Sequence, residues 1–265
     1  MTALLHQRLF GTGKPVIAML HARALPGRPR HDTTRHLKPI LDALARDLDA
    51  LQTAGVDGVL FCNEADLPYR LQTGPETAAA MAALVGELSK EIHVPFGIDL
   101  VWDPVASLAV ARATGARFVR EVFTGVYESD LGLMRPAADP RQHDVAVFAN
   151  ITPEFASPLG RRTTAERARG AAFLGADAIL ITGPVTGMPT SLEELQAVKA
   201  AVPGTPVLAS TGVTAGTIKR TLETADGAIV GTHLKRDGVT WNPVDPVRAA
   251  AFMAAAHSAR SEMAV

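Results

Sequence analysis

The most unusual side chain of the sequence is a carboxylate inside an apolar segment. Asp99 stands in GIDLVWD, between Ile98 and Leu100. Because a buried carboxylate without a partner is energetically costly, Asp99 should be paired, protonated or functional. A second apolar segment, FVREVF, contains Arg120 and Glu121 side by side. These residue types predict either acid and base catalysis or an ion pair.

Strand geometry allows two arrangements of these charges. Neighbouring side chains of a strand point to opposite faces, so only one of Arg120 and Glu121 can face the interior. An inward Glu121 would lie near Asp99, and the split pKa values of two close carboxyls suit acid and base work or a divalent cation held between them. An inward Arg120 would pair with Asp99 and explain both charges without catalysis. The sequence leaves both arrangements open.

The first long apolar segment ends at His21 and continues into a cationic loop, HARALPGRPRH. His21 could act as an acid, a base or a hydrogen-bond donor that orients the substrate, or it could be a satisfied histidine at the rim. Arg28 and Arg30 could contact an anionic substrate, or they could be solvated surface residues.

Amide side chains follow two further apolar segments. Asn63 stands in CNEADLPY together with Glu64 and Asp66, and we expect it to orient or polarise a substrate. Asn150 ends DVAVFAN, and with Arg120 it is a candidate to bind the substrate. Alternation along each strand means that these polar residues cannot all face inward.

Glycine-containing turns follow the last apolar segments, in PVLASTGVT and DGAIVGTHLK. Such turns expose backbone N–H groups, and a following helix start adds positive charge, so together they can hold a phosphate dianion. The alternative is that the glycines only allow close packing of strands and helices. The predicted phosphate-binding residues are Thr182, Gly183, Thr211, Gly212, Val213, Gly231 and Thr232.

Eight apolar segments of strand length would position these residues. They are 15–21, 57–63, 94–102, 117–123, 144–150, 176–182, 206–210 and 227–231, and helical patterns near 36–54, 75–90, 104–114, 163–174, 191–202, 214–224 and 246–260 alternate with them. The segment after the fourth strand is expected to be irregular. Alternating strands and helices predict one (β/α)8 barrel, or TIM barrel, over residues 1–265, with its site at the carboxyl ends of the strands. An open doubly wound sheet is the rival, but no G-x-G-x-x-G follows the first strand.

Composition excludes several classes of protein. A net charge of -1 gives no general attraction to nucleic acid. One cysteine, Cys62, cannot form an intrachain disulfide and is expected to be an inert buried thiol.

The sequence shows neither a secretory signal nor about 18 consecutive apolar residues, so a cytoplasmic protein without a membrane span is expected. Lys235 is the only lysine near a predicted strand end, which disfavours a Schiff-base aldolase.

The chain resembles the BtpA/SgcQ family from Lys14 to about Arg248. The shared stretches are the His21 loop with its LPG sequence, the polar residues of CNEADLP, and the segments TGPVTGMP, STGVT, DGAIVGTHLK and DGVTWNPVDPVR. The resemblance implies a barrel with a phosphate-type pocket. It leaves the activity open, because the family is named after a factor for photosystem I accumulation while other members lie beside sugar-metabolism genes.

Two functions follow as hypotheses. The first is an enzyme that acts on a small phosphorylated metabolite, a sugar phosphate or a nucleotide-like compound, as an isomerase, a lyase or a glycosyl-cleaving enzyme. Asp99 and Glu121 would be its acid and base, with a divalent cation between them as an option and no other cofactor expected. The second is a non-catalytic factor for the assembly or stability of a larger complex of the photosystem type. A homo-oligomer is expected in either case.

Overall fold

The computed structural model of the chain describes residues 5–135 and 144–263. Its strands are β1 (Val16–His21), β2 (Gly58–Cys62), β3 (Phe96–Asp99), β4 (Phe118–Glu121), β5 (Tyr127–Ser129), β6 (Gly132–Met134), β7 (Ala146–Asn150), β8 (Ala156–Pro158), β9 (Ala178–Ile181), β10 (Val207–Ala209) and β11 (Gly227–Val230). All except β5, β6 and β8 pair in parallel as a closed barrel, in the order β1-β11-β10-β9-β7-β4-β3-β2. The predicted (β/α)8 barrel is confirmed.

Helices surround the barrel and connect its strands. They are α1 (Leu5–Phe10), α2 (Lys38–Thr53), α3 (Pro75–Leu88), α4 (Pro104–Thr114), α5 (Thr164–Phe173), α6 (Leu192–Ala201), α7 (Ile218–Thr224) and α8 (Pro246–Met263). Within residues 5–135 and 144–263, no helix combines the length and apolar character needed to cross a membrane.

The third strand is shorter than the predicted segment 94–102. It ends at Asp99, and Trp102 then adopts a left-handed backbone conformation with φ of 69°. Asp103 caps the following helix by accepting a hydrogen bond from the Ala106 N–H at 2.9 Å. The strand is therefore shorter than its hydrophobic pattern suggested, whereas α4 begins after its capping residue at Pro104, as predicted.

Alternation along the strands divides the apolar residues into two layers. Ile17, Phe118 and Phe148 belong to the cluster inside the barrel, whereas Val16 and Val119 pack between the strands and the helices. The interior is therefore filled at the amino-terminal end of the strands, and polar side chains appear at the carboxyl end.

Two elements were not predicted from the sequence. The first is α1, whose Phe10 packs edge-on against Phe118 and Phe148 at centroid distances of 5.5 and 6.4 Å and fills the floor of the barrel. The second is a small antiparallel sheet of β6, β5 and β8, part of which lies in the segment expected to be irregular.

Replacement of Phe10 by alanine should destabilise the barrel, because it removes the aromatic contacts that fill the floor. We expect Phe10→Ala to lower the free energy of unfolding by about 3 kcal/mol in urea titrations. Phe173→Ala is the matched control, since Phe173 is 83% exposed and its removal leaves no cavity. Equal effects of the two variants would contradict the packing role of Phe10.

Candidate active site

Arg120 on β4 faces the inside of the barrel and forms an ion pair with Asp99. Arg120 lies on the same face of β4 as Phe118, which is inside the barrel, whereas Val119 between them packs towards the helices. Arg120 Nη1 donates to Asp99 Oδ2 at 2.6 Å, and Nη2 donates to Glu154 Oε1 at 2.9 Å. Of the two arrangements left open by the sequence, the structure has the inward arginine with its ion pair.

Glu121 ends β4, and each of its carboxyl oxygens accepts a backbone hydrogen bond. The donors are the N–H groups of Trp102 and of Val122, the latter at 2.8 Å. Burial, followed by repulsion from Asp99, raises the pKa of Glu121 well above its usual value. Glu121 therefore favours its protonated form and ties β4 to the segment after β3, which fits a supporting residue better than a free base.

The geometry does not support a divalent cation between Asp99 and Glu121. One oxygen of Asp99 is bound to the Arg120 guanidinium, and both oxygens of Glu121 accept from backbone N–H groups. In the part of the chain that the structure describes, no group of three or more His, Cys, Asp or Glu side chains is arranged to hold a metal ion.

Glu64 and Glu154 are two further carboxylates that line the cavity beside Arg120. Burial, followed by repulsion from Glu154 and Asp99, raises the pKa of Glu64 to about 7. A carboxyl group with this pKa can both accept and donate a proton near neutral pH. Sequence reasoning placed Glu64 only among the polar residues after β2 and did not single out Glu154.

The main cavity has a volume of about 240 Å³ and lies at the carboxyl ends of the barrel strands. A smaller cavity of about 30 Å³ adjoins it and is lined by Asp99, Glu121 and Asn150. The two cavities share Glu64, Arg120, Glu154 and Thr186 in their linings. The carboxylates thus meet on one side of the main cavity, and the turns after β10 and β11 form the other side.

Five backbone N–H groups in these turns donate no hydrogen bond to another described residue. They belong to residues predicted to bind phosphate, and all five residues line the main cavity: Thr211, Gly212, Val213, Gly231 and Thr232. Unpaired N–H groups that converge on a concave surface attract anions. The structure therefore brings these five predicted residues together.

Thr182 and Gly183 do not belong to this group. The Gly183 N–H donates to Thr211 Oγ1 at 2.5 Å, and the Thr182 N–H donates to Thr152 Oγ1 at 2.7 Å. Neither residue lines the main cavity. The predicted helix start at 214 is also wrong, because α7 begins at Ile218 and adds no helix end directly after the turn.

Close packing also requires glycine at two of the predicted positions. A Cβ atom on Gly183 would lie 2.3 Å from the Met188 carbonyl oxygen, and one on Gly212 would lie 2.3 Å from the Pro189 nitrogen. Gly212 also has a left-handed φ of 65°. A side chain at Gly212 would therefore displace the segment after β9 as well as obstruct the cavity.

Arg248 and His233 line the main cavity together with the turns after β10 and β11, and both were missed in the sequence. Arg248 Nε donates to the His233 carbonyl oxygen at 2.9 Å, and His233 Nε2 accepts from the Ala215 N–H at 3.2 Å. Burial, followed by the charge of Arg248, lowers the pKa of His233, so the imidazole stays neutral and the cation is Arg248. The only signal for Arg248 was the segment NPVDPVR.

His21 reaches the main cavity from the end of β1. Its Nδ1 atom and the Ser210 hydroxyl are buried and have no hydrogen-bond partner among the described residues. Burial, followed by the charge of Lys235, lowers the pKa of His21 well below its usual value. A neutral His21 can still hydrogen-bond a ligand, but it is not a cationic acid at neutral pH.

Asn63 does not reach the cavity. Its Oδ1 accepts from the Val101 N–H at 2.8 Å, and its Nδ2 donates to Asp66 Oδ2 at 2.9 Å, so the predicted substrate contact is replaced by a structural role. Arg28 is likewise engaged, because it donates to the Asp66 carbonyl oxygen at 2.5 Å. Asn150 lies on the carboxylate side, where its Nδ2 donates to Glu154 Oε2 at 3.4 Å, and not beside the turns after β10 and β11.

Two other side chains singled out in the sequence are buried. Cys62 faces the barrel interior, and burial, followed by repulsion from Asp99, raises the pKa of its thiol. Lys235 is 1% exposed and pairs with Asp47 at 3.0 Å. A thiol with a raised pKa is a poor nucleophile, and the Lys235 amine is held in its ion pair with Asp47.

A parallel eight-stranded barrel with a polar cavity at the carboxyl ends of its strands defines a TIM-barrel protein. The chain belongs to the BtpA family, whose sequence profile matches residues 12–258. This confirms the resemblance seen in the sequence motifs.

Relatives of this chain share most of its length. The sgc region protein SgcQ of Escherichia coli K12 is 43% identical over 263 residues, which cover 96% of this chain and 98% of SgcQ. The photosystem I biogenesis protein BtpA of Synechocystis is 33% identical over 257 residues, which cover 93% of this chain and 89% of that protein.

Solved structures share the fold at low sequence identity. Thiamine phosphate pyrophosphorylase from Pyrococcus furiosus is 18% identical with a TM-score of 0.56, covering 94% of this chain and 96% of its own. Phosphoribosyl anthranilate isomerase from Thermus thermophilus is 12% identical with a TM-score of 0.57, covering 92% of this chain and 98% of its own.

The raised pKa of Glu64 predicts a pH-dependent stability. A carboxyl whose pKa rises from 4.5 to about 7 on folding stabilises the folded state at low pH, and this contribution is lost between those values. Glu64→Gln has no carboxyl to ionise and therefore does not lose this stability as the pH rises. The free energy of unfolding of Glu64→Gln minus that of the wild type should increase by about 2 kcal/mol from the low end to the high end of this pH window. Denaturant titrations at both ends measure the change.

Glu193→Gln is the matched control, because Glu193 is exposed and the substitution changes the charge equally. A difference between Glu64→Gln and the wild type that does not vary with pH would contradict the assigned environment of Glu64.

Proposed function

We propose that the chain is an enzyme that acts on a small phosphorylated metabolite, a sugar phosphate or a nucleotide-like compound. One observation carries this proposal: the main cavity has unpaired backbone N–H groups and Arg248 on one side, and Glu64 with Glu154 on the other. The first side suits a phosphate dianion, and the second suits proton transfer at another part of the same molecule.

The phosphate side combines two kinds of donor. The N–H groups of the turns after β10 and β11 supply fixed dipoles. The Arg248 guanidinium is anchored through Nε to the His233 carbonyl oxygen, which leaves its Nη groups available for a bidentate contact. The names of thiamine phosphate pyrophosphorylase and phosphoribosyl anthranilate isomerase, which share the fold, agree with a phosphorylated ligand.

On the other side of the cavity, Glu64 is the proposed acid and base. It replaces Asp99 and Glu121 in that role, because Asp99 holds Arg120 and Glu121 accepts two backbone hydrogen bonds. Arg120 Nε is buried without a partner among the described residues, and the guanidinium can stabilise negative charge that develops on a substrate oxygen. Asp99 and Glu154 are then positioning residues for Arg120.

This arrangement favours reactions in which a proton moves beside a phosphorylated group. An isomerase or a lyase removes a proton next to a carbonyl group, and a glycosyl-cleaving enzyme protonates a leaving group. Glu64 can supply either step because its pKa lies near neutral pH. His21 would orient the substrate by a hydrogen bond through its unpaired nitrogen.

A second candidate function is a non-catalytic role in the assembly or stability of a larger complex. The name of the Synechocystis relative, a photosystem I biogenesis protein, supports it. Three exposed leucines, Leu131, Leu133 and Leu159, lie in or beside the small antiparallel sheet and could contact another protein.

Binding of phosphorylated compounds tests the first candidate. In a thermal-shift screen of pentose, hexose and nucleotide phosphates, a ligand at 100 times its dissociation constant should stabilise the protein by about 2.7 kcal/mol. Arg248→Met should raise the dissociation constant of such a ligand by roughly 10- to 100-fold, because a charged hydrogen-bond donor is lost. Arg169→Met removes an exposed arginine elsewhere and should leave binding unchanged.

Glu64→Gln separates binding from chemistry. This variant should keep the phosphate-dependent shift and lose the exchange of substrate protons with deuterated water, followed by proton NMR. If no phosphorylated compound stabilises the wild type, the enzyme proposal fails and the assembly role is favoured.

A further inference from the structure

A second cavity of about 240 Å³ lies outside the proposed active site, between α2 and the segment that follows β11. Three arginines line it: Arg23 and Arg30 from the loop after β1, and Arg46 from α2. Lys235 and Asp47 are the other charged residues in its lining. We refer to it as the arginine cavity.

The arginine cavity has an unbalanced positive charge. Asp47 is its only carboxylate among the described residues, and Oδ2 of Asp47 already binds Lys235 Nζ at 3.0 Å while Oδ1 accepts from the Val244 N–H at 3.0 Å. This pair is neutral, so the three arginines keep a formal charge of three. The whole chain has a net charge of -1, so this excess is local.

These guanidinium groups are available to a ligand. Among the described residues, Arg23 and Arg30 form no hydrogen bond or ion pair, and Arg46 donates only through Nε to the Asp42 carbonyl oxygen at 3.1 Å. Guanidinium groups bind phosphate oxygens in a bidentate manner. Mutual repulsion of three arginines is relieved when an anion lies between them.

Two uncharged features also favour a ligand at this position. His21 lines both the arginine cavity and the main cavity, and its Nδ1 atom is buried without a partner among the described residues. Trp241 lines the arginine cavity and is 55% exposed, so the indole face is open to a bound group. A buried polar atom without a partner calls for a ligand or water as its partner.

We propose that the arginine cavity is a second anion site, which binds a phosphate-type polyanion separately from the turns after β10 and β11. The shared chemistry is a phosphate or pyrophosphate group held by Arg23, Arg30 and Arg46. Such a group could be the second phosphate of a substrate that extends past His21, or part of a separate phosphorylated effector.

The two tryptophans of the chain are separate probes, one at the arginine cavity and one at the small cavity that adjoins the main cavity. Trp102 lines the small cavity beside the carboxylates, and Trp241 lines the arginine cavity. Their indole N–H signals can be followed by nitrogen-15 NMR during titration with inorganic pyrophosphate, and Trp241→Phe assigns them. We expect the Trp241 signal to shift and to saturate.

Removal of the arginines tests the origin of this shift. The double variant Arg23→Ser/Arg30→Ser should raise the dissociation constant reported by Trp241 at least about tenfold. The double variant Arg161→Ser/Arg169→Ser removes the same charge from other exposed positions and should have no effect. An unshifted Trp241 signal, a shift without saturation, or an equal effect of both double variants would overturn the proposal.

A bisphosphate distinguishes the two sources of the anion. If fructose 1,6-bisphosphate spans the main cavity and the arginine cavity, both indole signals follow one dissociation constant. Arg248→Met then raises this dissociation constant. If the arginine cavity binds an effector, the Trp241 signal follows its own dissociation constant, and Arg248→Met leaves it unchanged. Both results support the site. A lost response of Trp102 alone bears on the proposed function and not on this site.

Discussion

The candidate active site depends on one buried cation, Arg120. Asp99, Glu154, Glu64 and Glu121 crowd around the same end of the barrel, and carboxylates in such a position repel one another and lose hydration. The guanidinium compensates two of them directly through hydrogen bonds of 2.6 and 2.9 Å. Burial raises the pKa of Asp99, Glu64 and Glu121, and the value of about 7 for Glu64 leaves this residue able to exchange a proton near neutral pH.

The inward direction of Arg120 is a consequence of the packing below it. Two residues earlier on β4, Phe118 stacks on Phe148 at 4.8 Å inside the barrel and contacts Phe10 from α1. Because side chains two positions apart share a face, the aromatic floor and the arginine are fixed by the same register. The apolar end of the barrel thus supplies the rigidity that the polar end needs.

The division of the cavity into two sides follows from the same topology. The last residues of β3 and β4 and the loops after β2 and β7 bring the carboxylates, and the turns after β10 and β11 bring the unpaired N–H groups. Arg248 from α8 adds a cation only on the second side. Binding and chemistry can therefore lie on different loops of one fold, as is usual for this architecture.

Local sequence patterns predicted the barrel and the turns that follow its last two strands, because apolar runs and glycine turns depend on nearby residues. The choice between Arg120 and Glu121, and between Asn63 and Glu64, depends on a shift of one residue in strand register, which composition does not reveal. Arg248 reaches the cavity from a helix with no pattern of its own. Phe10 lies in α1, a six-residue helix too short to show periodicity.

A crystal structure with ribose 5-phosphate tests the central claim most directly. The account predicts that the phosphate accepts hydrogen bonds from the N–H groups of Gly212 and Gly231 and from Arg248, with the sugar directed towards Glu64. A phosphate bound away from these groups, or a cavity closed by side chains beside Gly231, would contradict it.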